Sequence, residues 1–459
     1  MKSRMKKLLF VISLVSGAML LFSPGNLSAQ SPATLPAAEK PKEDATKEPF
    51  KPEPFSFHFQ STATLQGYPA FHAAYSGPNS LPNFGEGRMS YSSTLFLGAK
   101  LWEGAEIYAN PELFGGKGIG QGFGIAGFTN GDVNRVSTSH PSLYLARAFL
   151  RQNVGFGGEK EDIPADQNQL ATTLDVSRLT LTLGKFSAAD IFDGNAYAHD
   201  PRTQFLNWTL FDNGAWDYPA DIRGYTLGGA LELNQKNWAL RYGIFLEASV
   251  ASGAHLDYHE GNAFGQAVEY EQRYEIATHP GRLRLMAFLN RAHMGSYTEA
   301  AQSPPPPDVT RSRRYSLKYG FGINLEQQLT EDSGLFARFG WNDGRREDWS
   351  FTEIDRTASL GLSVKGARWG RPDDTFGLAG AVNGISDSHR RYLSAGGTGF
   401  IIGDGKLSYD LEEIAETYYS AKLFKYVFVT GDVQVINHPA YNRDRGPVFV
   451  GTIRLRVQF

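Results

Sequence analysis

The chain has 459 residues, 45 Lys and Arg against 48 Asp and Glu, a formal charge of -3, and a heavy aromatic load of 31 Phe and 21 Tyr. It has no cysteine, which excludes disulfides, thiolate metal centres, cysteine nucleophiles and lipid attachment at a mature N-terminal Cys. The mild acidity argues against nucleic acid as a partner.

Residues 1–29 read as a secretory signal. Lys2, Arg4, Lys6 and Lys7 form a basic start, Leu8 to Phe22 an apolar core, and Leu27-Ser28-Ala29 a small-residue cleavage site. The apolar run is short for a spanning helix and ends at Ser23-Pro24-Gly25. Cleavage removes four basic and no acidic residues, taking the formal charge from -3 to -7. Residues 30–54 carry six prolines among Ala, Lys, Glu and Thr. Such a stretch buries too little apolar surface to fold, so it is expected to be a disordered periplasmic leader.

From Phe55 to Phe459, alternation of period two recurs. Phe55, Phe57, Phe59, Ala63 and Leu65 oppose Ser56, His58, Gln60, Thr62 and Thr64; Leu179, Leu181 and Leu183 oppose Arg178, Thr180 and Thr182. Tyr315, Leu317, Tyr319, Phe321, Ile323 and Leu325 oppose Ser316, Lys318, Asn324 and Glu326. This is a strand signal and not a helical one. Tight turns are expected at Trp102–Gly104, Asn234–Asn237, His279–Gly281 and Thr330–Ser333, with long polar excursions at 114–140, 187–222, 248–267, 294–314 and 386–410. At the end, Ile453, Leu455, Val457 and Phe459 face one way and Thr452, Arg454, Arg456 and Gln458 the other. A mean hydropathy of -0.34 beside many aromatics fits a barrel, whose strands average out in a hydropathy window. The expected fold is all-β: a closed antiparallel transmembrane β-barrel of about 16 strands over residues 55–459, with short periplasmic turns and long extracellular loops. A soluble sandwich or propeller would explain the alternation, but not the secretory signal or the terminal aromatic strand.

A lumen of that size holds water. Charge on the lipid face costs about 2–4 kcal/mol at the midplane, so the strand charges are placed inward. Candidate pore-lining residues are Arg147, Arg151, Arg178, Lys185, Arg241 and Arg338, with Glu106 and Glu112 of opposite sign. Arg284, Lys318, Glu232, Glu269, Glu271 and Glu416 share the inward face, and most such charges need do no more than solvate the bore. Both signs together suit a neutral, many-hydroxyl solute better than a one-sign ion filter. The excursion after Lys185 adds Arg202, Trp208, Trp216 and Asp217, interleaving indoles that stack on sugar rings with groups that hydrogen-bond their edges. Folded inward, it would narrow the pore; as a surface lid, its aromatics would merely pack.

Ile125–Gly131, Leu183–Phe186, His199–Trp208, Gly214–Pro219, Asn290–Tyr297 and Asn437–Pro447 resemble the carbohydrate-selective porins of the OprB type. The resemblance covers the chain after about Pro54. It implies a 16-stranded outer-membrane barrel passing glucose-like sugars passively through an eyelet of arginines and carboxylates. The expected partners are carbohydrate solutes, the outer-membrane bilayer, and the barrel-assembly machinery through Phe459; the chain would act as monomer or homotrimer. No cofactor, metal or catalytic residue is expected. Gly122–Gly127 matches a dinucleotide fingerprint by letter but lacks a βαβ frame, and His255 and His259 have ligand spacing only on a helix. A channel for anionic solutes or acidic polysaccharide, a general diffusion pore, a barrel hydrolase and an adhesin stand as alternatives.

Overall fold

The computed structural model describes residues 50–132, 140–259 and 261–459; the signal segment and most of the leader lie outside the described residues. Eighteen strands follow in chain order: β1 (Phe55–Tyr68), β2 (Glu86–Trp102), β3 (Ala105–Gly116), β4 (Ser142–Gly155), β5 (Lys160–Ile163), β6 (Thr172–Asp175), β7 (Arg178–Phe186), β8 (Thr226–Asn234) and β9 (Trp238–Phe245) come first. Then come β10 (Phe264–Ile276), β11 (His279–Met294), β12 (Arg314–Thr330), β13 (Ser333–Asn342), β14 (Arg356–Gly366), β15 (Arg371–Gly384), β16 (Glu412–Phe424), β17 (Val427–Asn437) and β18 (Val448–Gln458). Sixteen of them close an antiparallel barrel in which each strand pairs with its chain neighbours, while β5 and β6 form a separate hairpin and β4 pairs with β7.

The seam runs from Gln60 opposite Gln458 to Gly67 opposite Gly451. Along β18, Ile453 and Leu455 are 57% and 47% exposed while Thr452, Arg454 and Arg456 are buried, so the apolar face is the outer one. Phe459 packs on Phe57 and Phe59 of β1 and on Tyr426. No helix among the described residues is long and apolar enough to cross a membrane; the strands do the crossing.

Two connections differ from expectation. The β10–β11 turn is Ala277-Thr278, not His279–Gly281, which already belongs to β11. Both turn residues have positive φ, 49° and 69°, the pairing whose twist matches the flanking strands; Pro280 precedes Gly281, where the pairing with β12 begins, so its missing N–H breaks no ladder bond on that side. The β4–β7 connection, on the side of the short turns, spans residues 156–177 and carries the β5–β6 hairpin. Its tip reaches the barrel interior: Asn110 Nδ2 donates to Asn168 Oδ1 at 2.9 Å, and the Leu170 N–H to Tyr108 Oη at 3.1 Å.

Candidate functional site

The long loops define the bore. Residues 187–225 fold inward, and nearly every residue from 205 to 221 is buried. Inward wall residues hold this loop through its backbone. Glu416 accepts the N–H groups of Leu206 and Asn207 at 2.5 and 2.9 Å, and Glu326 that of Ala196 at 2.7 Å. Arg338 donates to Asp193 Oδ2 at 2.9 Å and to the carbonyls of Leu210 and Ala198 at 2.9 and 2.7 Å. The loop between β3 and β4 enters beside it. Glu412 accepts from the N–H groups of Ala126 and Gly127, Gly131 N–H donates to Leu206 O, and Trp208 N–H to Phe128 O. Gly131 permits the close approach, since a Cβ there would lie 2.0 Å from the Phe211 ring. Backbone groups buried in a barrel need such partners, and the inward polar face supplies them.

Three cavities of about 340, 240 and 340 Å³ lie in series. Asp190 lines the first and second, and Asn153, Leu174 and Arg178 line the second and third. The first is the candidate constriction, where the inserted loop brings its own charges to the wall. Arg147 holds Asp190 through two hydrogen bonds of 2.7 and 2.6 Å and lies 5.0 Å from the Tyr225 ring centre. Arg202 donates to Asp132 and Glu112 at 2.8 and 2.9 Å. Glu112, fully buried behind Arg202, also accepts from Tyr225 Oη at 2.7 Å. Asp200, Arg223 and His199 share this cavity, with Gln167 and Asn168 from the β4–β7 connection. Phe128, Trp208, Phe211, Tyr218 and Phe351 supply an aromatic wall; Trp208 stacks on Phe351 at 4.6 Å and 18°. Trp208 Nε1 and His199 Nδ1 have no hydrogen-bond partner within the protein.

Electrostatically the constriction is close to balanced. Arg147, Arg202 and Arg223 meet Asp132, Asp190, Asp200 and Asp212, with Glu112 behind Arg202. Burial, then the neighbouring Asp193 carboxylate, push Asp212 well above the usual carboxylate range, so it adds little charge. Burial also raises Asp132, against the opposing pull of Arg202. For Asp190 burial is outweighed by the Arg147 guanidinium, which holds the carboxyl low. Burial opposes the Arg202 charge, but Asp132 and Glu112 hold it firmly protonated.

The sequence-derived candidates separate into four groups. Arg147, Arg202 and Trp208 line the first cavity, with Glu112 behind them. Arg151, Arg178 and Arg241 line the second, and Glu106 and Arg178 the third. Arg151 donates to Asn168 O at 3.0 Å and lies 5.1 Å from the Tyr108 ring centre. Lys185 stands apart, 2.5 Å from Tyr144 Oη and over its ring. Trp216, Asp217 and Arg338 are buried within the loop packing: Trp216 against Phe192 and Phe288, Asp217 against Lys318 at 2.8 Å, and Arg338 as described. Arg241 is itself bound by Glu232, Glu269 and Glu271 at 2.5, 2.7 and 3.2 Å. Sequence reasoning missed Asp132, Asp190, Asp200 and Arg223. A clue was available for two of them, since Asp190 follows the arginine-bearing β4 by one strand and Asp200 neighbours Arg202.

A closed 16-stranded barrel with inserted loops and a charged, aromatic constriction defines an outer-membrane porin. The chain belongs to the carbohydrate-selective porin, OprB family, whose family model matches residues 79–459. It is similar to the high-pH structure of Pseudomonas putida OprB, with a TM-score of 0.64, 16% identity, and coverage of 88% of this chain and 94% of that one. Among curated proteins it is 24% identical over 251 residues to Porin AaxA of Chlamydia muridarum, covering 52% of this chain and 48% of that porin. It is also 22% identical over 311 residues to Porin AaxA of Chlamydia abortus, covering 66% of this chain and 60% of that porin. The family and fold are those of channels and not of enzymes.

Proposed function

We propose that this porin conducts carbohydrates by passive, selective diffusion: glucose-like monosaccharides and small oligosaccharides, driven by their gradient and held weakly at the Arg147–Asp190 and Arg202–Asp132 constriction. The observation that carries the reading is the charge balance of that cavity beside an aromatic wall. A neutral ring with many hydroxyls finds donors in Arg147 and Arg202, and acceptors in Asp190 and Asp132. Its apolar face finds Trp208, Tyr218 and Phe351. The cavity falls within the size range of small-molecule sites.

The test is swelling of liposomes carrying the purified protein. Glucose should enter faster than an uncharged solute of similar size without ring hydroxyls; equal rates would leave a general diffusion pore. A channel for anionic solutes is the second reading, favoured by the arginines that recur through all three cavities. A strongly anion-selective reversal potential at neutral pH would support it over the first.

A further inference from the structure

A second polar cluster lines none of the three cavities. The β13–β14 loop (residues 343–355) supplies Asp348, Glu353 and Asp355, and the short helix Asp387–Ser394 supplies His389. All four side chains are fully buried. The His389 ring stacks on Tyr297 at 4.0 Å and 11°. Its Nδ1 lies 3.5 Å from Asp348 and 3.4 Å from Asp355, and its Nε2 lies 3.8 Å from Glu353. One donor atom each from Asp348, Glu353 and His389 fall within 4.8 Å of one another.

Two independent observations point to a cation. The first is hydrogen bonding: neither ring nitrogen of His389 has a partner, nor do Asp348 Oδ2 and Asp355 Oδ1, although buried polar atoms are almost always paired. The second is charge. Asp217, Asp348 and Asp355 are buried around Lys318, and Glu353 is buried beside His389. One lysine against these four carboxylates leaves an excess that costs several kcal/mol per unpaired ion in a dry site. The remaining carboxylate oxygens are already held in place. Lys318 takes Asp217 and Asp348, the N–H groups of Ile401 and Ile402 donate to Glu353 Oε2 at 2.8 and 2.9 Å, and that of Ser386 to Asp355 Oδ2 at 2.6 Å. Such outer contacts aim ligands.

We propose that Asp348, Glu353 and His389 bind a divalent transition-metal ion of the zinc or manganese kind, with Asp355 completing or positioning the set. An imidazole donor among carboxylates suits these ions, whereas calcium and magnesium prefer all-oxygen sites. The ion ties the β13–β14 loop to the β15–β16 loop. It also braces Phe351, which lies between two of the ligands, holds a left-handed φ of 60° that bulky residues adopt only when their surroundings enforce it, and stacks on Trp208 in the passage wall.

The purified full-length porin, without a histidine tag, is stripped with EDTA in detergent and titrated with zinc chloride and, separately, manganese chloride. Bound metal is counted by mass spectrometry, and the unfolding temperature is followed. One equivalent per chain should bind, with a rise of about 3 °C or more in unfolding temperature that calcium does not reproduce. His389→Gln and Asp348→Asn should each abolish both effects. Failure of both ions to bind stoichiometrically, or a full equivalent retained by His389→Gln, would overturn the proposal. In the first case His389 is a buried imidazolium among its carboxylates, and the porin melts identically with and without EDTA. The wild-type titration decides the matter even if a variant does not fold.

Discussion

Two stretches of the barrel wall carry the same residue types and put them to different use. Along β10 to β13, Arg284, Lys318 and Arg338 are buried and fully engaged. Arg284 bridges Glu271 and Glu326 at 2.8 and 3.2 Å, Lys318 joins Asp217, and Arg338 clamps the inserted loop. Along β4 and β7 and the loop that follows, Arg147, Arg151, Arg178 and Arg202 keep part of their guanidinium surface in the water of the passage. The difference lies in what covers them. Where residues 187–225 pack against the wall, a charge becomes an anchor; where they stand away from it, a charge is left for solute.

That contrast breaks most visibly at Arg338. Its guanidinium is 1% exposed and satisfies Asp193 and two loop carbonyls. Arg338→Met leaves the Asp193 carboxylate buried without its partner, a loss of about 3–5 kcal/mol for a pair of this kind. The heat-modifiability midpoint on gels should fall sharply, and single-channel conductance should rise and become noisy as the loop leaves the lumen. An unchanged midpoint with unchanged conductance would mean that Arg338 anchors nothing.

The wall was legible in the sequence because period two is a local property. The Ile453/Leu455 and Thr452/Arg454 faces can be read from β18 alone, and the same holds for β1, β7 and β12. The constriction was legible only in part. Glu112 sits on β3, so its inward direction follows from parity; Arg147 shares the parity of the outward Leu143 and Leu145 and turns inward only through the register shift beside it. Asp190 and Asp132 sit on loops with no period, and they meet Arg147 and Arg202 across 43 and 70 residues of chain. Trp216 and Asp217 have the composition of a sugar-binding surface, yet Phe288 and Lys318 cover them, and no local pattern encodes that coverage. The β4–β7 connection is illegible for a similar reason: its glycines and polar residues mark a turn, and only contact with Asn110 and Tyr108 shows that its tip enters the barrel.

The opposite side of the comparison is sharpened by Arg147. Its pair with Asp190 is 14% and 30% exposed on the two side chains, so removing it should cost no more than about 1 kcal/mol. Arg147→Ala should therefore leave the heat-modifiability midpoint nearly unmoved. It should still raise the rate for the hydroxyl-free reference solute toward that for glucose in the swelling assay. A variant as unstable as Arg338→Met would show that the two stretches of wall do not differ in the way the contacts indicate.

The smallest expected effect is electrostatic, and it follows from the two aspartates of the constriction. Asp132 has a raised pKa, so its protonated form is favoured in the folded barrel, and the stability it contributes is present at low pH and lost as pH rises. Asp190 has a lowered pKa. Its contribution is present above the ordinary carboxylate value of about 3.9 and is lost only as pH falls through its own, lower value. On acidification Asp132 is therefore neutralised first, while the Arg147–Asp190 pair persists. The balance of the cavity moves by one unit toward its three arginines. Reversal potentials across a salt gradient should shift toward anions between neutral pH and about pH 4, with no rise in conductance, because the constriction still holds. Asp132→Asn should show the shifted potential already at neutral pH and remove that part of the titration. A flat potential over this range in the wild type, or a titration unchanged by Asp132→Asn, would mean that Asp132 does not set the selectivity of the passage.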